Sequence, residues 1–276
     1  MKKLKYPLMS LLTVAILMTD CSKKEDAAPT TVKPTDAEAV SNEITFTSST
    51  SKVNGTIPTS TTGASTPIIT NIPSASVVAS GTVYIPVTYT SPTVPSLMFV
   101  QVVGAKTYYF SIPLTGAGTS GTVTVPMTIS SKVLVGNFSM YICILTSTFL
   151  SQQVIVSTAV TEPLKCGNGS VFGSEGVTNT RHQLLGKNGT VTITYDTYSL
   201  PDRIDVFLDG NIWKGGTGTI ISPPPPTSSC SSPLAGFVGA TGTISFPVST
   251  TNKYVDVYVS GCLGSSTAWN YTLTCP

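Results

Sequence analysis

GTVYIPVTYT, residues 81–90, places Val83, Ile85, Val87 and Tyr89 on one side of an extended chain and Thr, Tyr and Pro on the other. That is the two-residue period of a strand with one buried face, and no helical period fits it. GTVTVPMTI (121–129) repeats it with Val123, Val125, Met127 and Ile129. FSMYICILT (138–146) is apolar on both faces, which predicts a central strand. LMFVQVVG (97–104), KTYYFSIPL (106–114) and SQQVIVS (151–157) fill the intervals, with Gly, Pro and Ser turns between. Short strands at regular spacing predict an immunoglobulin-like β-sandwich over 43–161.

The pattern resumes after Cys166. GTVTITYDTYS (189–199) alternates through Val191, Ile193 and Tyr195. RIDVFL (203–208) and NIWKGG (211–216) flank Asp209-Gly210, a pair suited to the positive φ angles of a type I′ hairpin. TGTISFPVS (241–249), KYVDVYVSG (253–261) and TAWNYTLTC (267–275) complete a second sandwich over 166–276, predicted to be jelly-roll-like and stapled by disulfides. The fold class is therefore all-β, with two tandem sandwiches. The proline-rich run SPPPPTSSCSSPLAGF (222–237) reads as a loop, because proline donates nothing to a strand ladder. By the same rule Pro86, Pro126 and Pro247 predict that their strands lie at sheet edges.

The N-terminus has a basic start at Lys2, Lys3 and Lys5 and an apolar run from Tyr6 to Met18, too short to span a bilayer. Residues 1–20 thus read as a secretory signal. The cysteine that follows, Cys21, resembles the lipobox of bacterial lipoproteins, in which that residue is acylated, although Asp20 stands where the family has Gly, Ala or Ser. The resemblance implies a lipid anchor at Cys21, and the SerLysLysGluAsp run at 22–26 implies the outer face of the outer membrane. Residues 21–42, rich in charge, Ala, Pro and Thr, are predicted to be a flexible tether.

Removal of residues 1–20 leaves 12 basic and 12 acidic residues, so the mature chain is formally neutral. No basic patch remains for nucleic acid or an anionic membrane surface. Charged residues make up only 10% of the chain against 41% hydrophobic, so Ser, Thr and Asn must supply the wet surface.

Export permits disulfides. Cys166, Cys230, Cys262 and Cys275 lie in the second sandwich and allow three connectivities, among which the spacing does not choose. Pairing Cys166 with Cys275 would staple entry to exit, and pairing Cys230 with Cys262 would pin the proline-rich loop. Cys143, alone in mid-strand, reads as a small buried residue. No CxxC or HxxxH pattern points to zinc.

The single histidine, His182, sits in the polar stretch NTRHQLLG (179–186), read as a solvated loop, and no GxSxG motif accompanies it. No acid lies between Glu43 and Glu162, which denies the first sandwich a carboxylate pair for glycoside hydrolysis. No enzyme is expected. The stretch TYDTYSLPDRIDVFLDG (194–210) carries four aspartates. Asp209 and Asp202 read as turn residues, and Asp196, Asp205 and Asp256 as the polar outer face of a sheet. The second reading of the stretch is a structural calcium site built from Asp196, Asp202 and Asp209 at strand ends.

GTVTITYDTYSLPDRIDVFLDG, GTISFPV, VDVYVSG and TAWNYTLTC together resemble an accessory β-sandwich domain of large secreted bacterial surface proteins, with a fainter similarity to CUB domains. The resemblance implies adhesion, targeting or sugar binding. For a glycan or another surface ligand, the candidate platform is Tyr195, Tyr198, Trp213 and Tyr258, with Asp196 and Asp205 as hydrogen-bond partners; Trp269 and Tyr271 are expected in the core. The alternative is a stalk or fibre subunit that self-assembles edge to edge.

Overall fold

The computed structural model describes residues 31–46, 49–167, 169–218, 228–264 and 266–276. The signal segment, Cys21 and the prolines at 223–226 lie outside the described residues.

Nearly all regular structure is β. After one short helix, α1 (Ala37–Asn42), come β1 (Ile44–Thr45), β2 (Ser51–Asn54), β3 (Ile68–Asn71), β4 (Ala75–Val78) and β5 (Thr82–Thr90). Then follow β6 (Leu97–Val102), β7 (Tyr108–Pro113), β8 (Ser120–Ile129), β9 (Gly136–Leu145) and β10 (Val154–Thr161). The second half contains β11 (Leu164–Lys165), β12 (Ser170–Gly173), β13 (Gly176–Gln183), β14 (Gly189–Asp196) and β15 (Arg203–Leu208). It closes with β16 (Ile212–Gly216), β17 (Thr241–Val248), β18 (Tyr254–Gly261) and β19 (Trp269–Thr274).

Two four-stranded sheets, β1-β8-β5-β3 and β12-β19-β14-β17, pack against one long sheet of order β16-β15-β18-β13-β4-β10-β9-β6-β7-β2. Strand β4 is the seam. It pairs in parallel with β10 (Thr158 opposite Ala75) and with β13 (Thr178 opposite Ser76), so the long sheet runs unbroken through both halves.

Alternation then sends the two cores to opposite faces of that sheet. Ala75 and Val77 of β4 belong to a core with Val83, Ile85, Val125, Met127, Met140 and Ile142. Ser76 points to the other face, as do Thr178, Thr180 and His182 of β13 and their partners Val259, Val257 and Val255 of β18. Those valines join Val191, Ile193, Ile204, Val206, Trp269 and Tyr271 in the second core. The predicted central strand is β9, flanked by β10 and β6, with Met140, Ile142 and Ile144 in the first core and Cys143 buried on the reverse side.

Three expectations need correction here. Residues 32–42, expected as tether, are folded onto the first core: Val32 bridges Val133, Asp36 caps α1 by accepting from the Ala39 amide, and Val40 is fully buried in the first core. Pro247 does lie on an edge strand, β17, but Pro86 and Pro126 lie in β5 and β8, which are interior. They are tolerated because the outer neighbours are short. β3 reaches β5 only at Thr88–Thr90, and β1 reaches β8 only at Thr128–Ile129, so neither proline removes a ladder bond on that side. Finally, His182 is on β13 beneath the second core rather than in a wet loop.

Candidate functional site

The four aspartates of 194–210 go to four different environments. Asp209 and Gly210 adopt φ of 51° and 80° at the hairpin between β15 and β16. The Asp209 carboxylate accepts from the amides of Lys253 and Tyr254 and from Asn252 Nδ2; partial burial pushes its pKa up, but these donors outweigh it and hold it below the usual value. Asp202, at the other end of β15, is fully buried. It accepts from the Cys262 amide at 3.0 Å and Thr267 Oγ1 at 2.9 Å, and burial pushes its carboxyl up to about 6 against those bonds.

Asp205 is not on a wet face. Strand β15 is buried along its whole length, and Asp205 forms a two-pronged ion pair with Arg203 (Nε–Oδ2 2.8 Å, Nη2–Oδ1 2.9 Å), both side chains wholly buried. The loop after residue 228 folds over this pair: Arg203 Nη1 donates to the Ala235 carbonyl, and a Cβ at Gly218 or Gly236 would stand 2.7 or 2.6 Å from the guanidinium nitrogen. The close approach explains both glycines. Asp256 is likewise buried, paired through both oxygens with Arg181, whose guanidinium lies 3.8 Å from the Tyr254 ring centroid. The polar face expected for Asp205 and Asp256 is covered because the seam brings Tyr84 of β5 against it. Asp196 is half-buried and accepts from the Tyr198 amide at 2.7 Å, a local turn bond.

Asp196, Asp202 and Asp209 therefore do not converge as a calcium set. Asp202 and Asp209 are separated by the six residues of β15, about 20 Å of extended chain. Among the described residues no three acidic, histidine or cysteine side chains are grouped to hold a metal.

Of the four proposed aromatics, three face inward. Tyr258 is buried between Tyr84 and Phe207, at 6.0 and 5.6 Å between ring centroids, and Trp213 packs on the same cluster. Tyr195 packs against the second core, its hydroxyl lying so close to Gly242 that a Cβ there would collide with it. Trp269 and Tyr271 are core residues, as expected. Tyr198 alone stands out, 49% exposed, in a left-handed conformation with φ of 48°.

Tyr198 belongs to a surface that strand periodicity did not single out. The outer face of the sheet β12-β19-β14-β17 carries hydroxyls in register: Ser170, Thr272, Thr194 and Thr243 form one row, and Thr274, Thr192 and Ser245 the next. The next row holds Phe172, Asn270, Asp196 and Thr241. Phe172 is 70% exposed, more than any other large apolar residue described. Asn270 Nδ2 donates to the Tyr198 hydroxyl at 2.7 Å, so an aromatic ring, an amide, a phenol and a carboxylate sit side by side. SVFG (170–173) was too short to show an alternation, and only a phenylalanine amid Ser and Gly could have signalled it.

The remaining groups are structural. Disulfides join Cys166 to Cys275 and Cys230 to Cys262. Cys143 is a free thiol that burial pushes up to about 12. His182 Nε2 lies 2.9 Å from the Tyr271 hydroxyl, and burial pushes its imidazole down to about 4. No helix among the described residues is long and apolar enough to cross a membrane.

No family model matches the chain, and no curated protein matches it. Among solved structures it is similar to the secreted serine protease VesC from Vibrio cholerae, at 14% identity and a TM-score of 0.27, over 71% of this chain and 47% of that one. The chain thus spans about half the length of that protease. It is also similar to the fibronectin(III)-like modules of Clostridium thermocellum CbhA (13% identity, TM-score 0.24, 71% of this chain and 93% of that one). A third likeness is to the FN1-FN3 domains of chicken CNTN1 (6% identity, TM-score 0.25, 76% and 67%). The expectation of no enzyme is corrected by the first of these: a secreted serine protease stands among the matches, and the exclusion is withdrawn. At such identities and TM-scores these likenesses assign no activity to this chain.

Proposed function

We propose that this chain is an exported β-sandwich binding module whose outer face over β12, β19 and β14 takes a glycan. The observation that carries the reading is Phe172, whose ring is left in solvent on a hydroxyl-rich sheet face beside Asn270. Burying such a ring is worth roughly 1.5–3 kcal/mol, and no core uses it here. Sugars offer apolar C–H faces to a ring and hydroxyls to an amide or carboxylate. Phe172 would supply the stacking surface, and Asn270, Asp196 and the Tyr198 hydroxyl the polar contacts. Asp196 and Tyr198 are kept from the residues proposed on sequence; Tyr195, Trp213, Tyr258 and Asp205 are given up. The signal segment and Cys21 support export and a lipid anchor on the outer face of the outer membrane, and the two disulfides support an oxidising compartment.

The test is a glycan array probed with residues 22–276, wild type and Phe172→Ala, in calcium and in EDTA. Binding that needs Phe172 and ignores EDTA is the expected result; an empty array, or binding indifferent to Phe172, refutes it.

A second reading, a subunit that assembles through strand edges, is favoured by β17. Its eight residues contain no charge and form an edge of their sheet. Native edges are normally protected by charge. Sedimentation velocity at rising concentration distinguishes the two, since the glycan reading expects a constant coefficient.

A further inference from the structure

One end of the first sandwich carries a rigid apolar tip. It is the turn of residues 131–135 between β8 and β9. Val133 is buried in the first core and roots the turn, while its neighbours Leu134 and Val135 are 41% and 51% exposed. The chain entering from the N-terminus braces the turn from the side: the Val32 amide donates to the Lys132 carbonyl at 2.8 Å, and the Leu134 amide to the Val32 carbonyl at 2.9 Å. A tip held this way has little freedom left to lose on binding. Exposed Lys33 and Lys132 flank it, and Lys132 pairs with Glu43. The same two backbone bonds fix where the N-terminal chain departs. Thr31 lies beside the tip, and the ten residue steps from Cys21 to Thr31 reach at most about 35 Å. The far end of the sandwich is about 27 Å further on, the length of β5 from Thr82 beside Thr128 to Thr90. Its loops 91–96 and 114–119 contain no charged residue.

We infer that this tip rests on the lipid bilayer that holds the acyl chain of Cys21, with Leu134 and Val135 entering the boundary between headgroups and acyl chains. Lys33 and Lys132 lay their stems along that boundary and keep their ammonium groups in the headgroup layer. The contact rests on the reading of Cys21 as a lipid anchor. Charge does not drive it: Asp36, Glu38 and Glu43 share this end with Lys33, Lys106 and Lys132, so the attraction is apolar and needs no anionic lipid. Two side chains alone would hold a bilayer only weakly, but the anchor keeps the tip within reach of the surface and so raises its effective concentration there. A membrane held by so short a linker meets the end beside Thr31 first, and the uncharged loops at the far end then face away from it.

The experiment uses the full chain acylated at Cys21 in phosphatidylcholine vesicles, with and without bromine on the lipid acyl chains. A tryptophan is placed at the tip by Leu134→Trp, or at the far end by Val94→Trp, where the valine is 54% exposed. Bromolipid should quench roughly half of the emission that Leu134→Trp adds over the wild type, as for a ring about 5–10 Å into the boundary, and none of that added by Val94→Trp. Acetylation of Lys33 should slow on vesicles. Leu134→Ser combined with Val135→Ser should remove that slowing while the protein still floats with the lipid. An unquenched Leu134→Trp, equal quenching of the two probes, or a Lys33 that reacts equally fast with and without vesicles overturns the tip contact and leaves the anchor standing. A mature chain that carries no acyl group and does not float with vesicles overturns the anchor reading, and the tip contact with it.

Discussion

Replacing Asp205 by alanine would leave the Arg203 guanidinium, fully buried, with the Ala235 carbonyl but without its carboxylate. Breaking a buried pair by removing one partner costs about 3–5 kcal/mol, because the surviving charge stays out of water without its counter-charge. A domain is stabilised by only about 5–15 kcal/mol in total, so the loss is a large share. Urea unfolding followed by tryptophan fluorescence reads it as a fall in midpoint at unchanged slope. The loop from Ser228 to Ala240 crosses the guanidinium, and Cys230–Cys262 holds only one end of it, so its amides should also exchange faster with solvent. The double change Arg203→Met with Asp205→Leu should recover most of the lost stability, since well-packed apolar groups replace a buried pair at little cost. Glu43→Ala removes the partner of Lys132, half of whose side chain is exposed, and should shift the midpoint far less. A loss below about 1 kcal/mol in Asp205→Ala, or a double variant no better than the single, would refute the assignment of this pair as a buried clamp.

Phe172→Ala should abolish glycan retention while changing stability by less than about 0.5 kcal/mol, as expected for an exposed side chain; Trp269→Ala should cost about 3–5 kcal/mol. Two buried groups should give opposite pH dependences between pH 4 and pH 6. Asp202 has its folded pKa raised to about 6 from 3.8, so the folded state takes up its proton first and this term gains stability as pH falls through that window. His182 has its folded pKa lowered to about 4 from 6.5, so the unfolded state takes up the proton first and this term loses stability over the same fall. The two terms oppose each other in the wild type; Asp202→Asn should unmask the loss on acidification and His182→Gln the gain, in denaturation midpoints measured across the window. Removing Cys166–Cys275, which closes a separation of 109 residues, should cost about 1 kcal/mol more than removing Cys230–Cys262, which closes 32.

The strands were legible because each buries one face: Val83, Ile85, Val87 and Tyr89 mark a period of two that no other structure satisfies. The hairpin at Asp209-Gly210 was legible for an equally local reason, the positive φ that both positions require. What lies on the second face of a strand is decided by a partner elsewhere in the chain. Asp205 and Asp256 alternate with valines and so read as wet, yet Tyr84 from β5 and the loop around Ala235 cover them. Tyr258 was misjudged for the same reason, and so was His182, whose neighbours in sequence are polar while its neighbour in space is Tyr271. The exposed platform escaped because a four-residue edge strand is too short to carry a period, and Asn270 acquires its meaning only when β19 sets it between Phe172 and Asp196.

The seam strand β4 also sets the order in which the molecule can form. Its four residues close against β10, some 80 positions later, and then against Thr178, about 100 positions later. Contacts so distant in sequence carry a high loop-closure cost and slow folding. The second half pairs β13, β18, β15 and β16 among themselves, and the junction at Thr178 closes only when β4 is in place. A fragment beginning near residue 166 would expose β13, eight residues long, as a raw edge and would be prone to pair with its own copies.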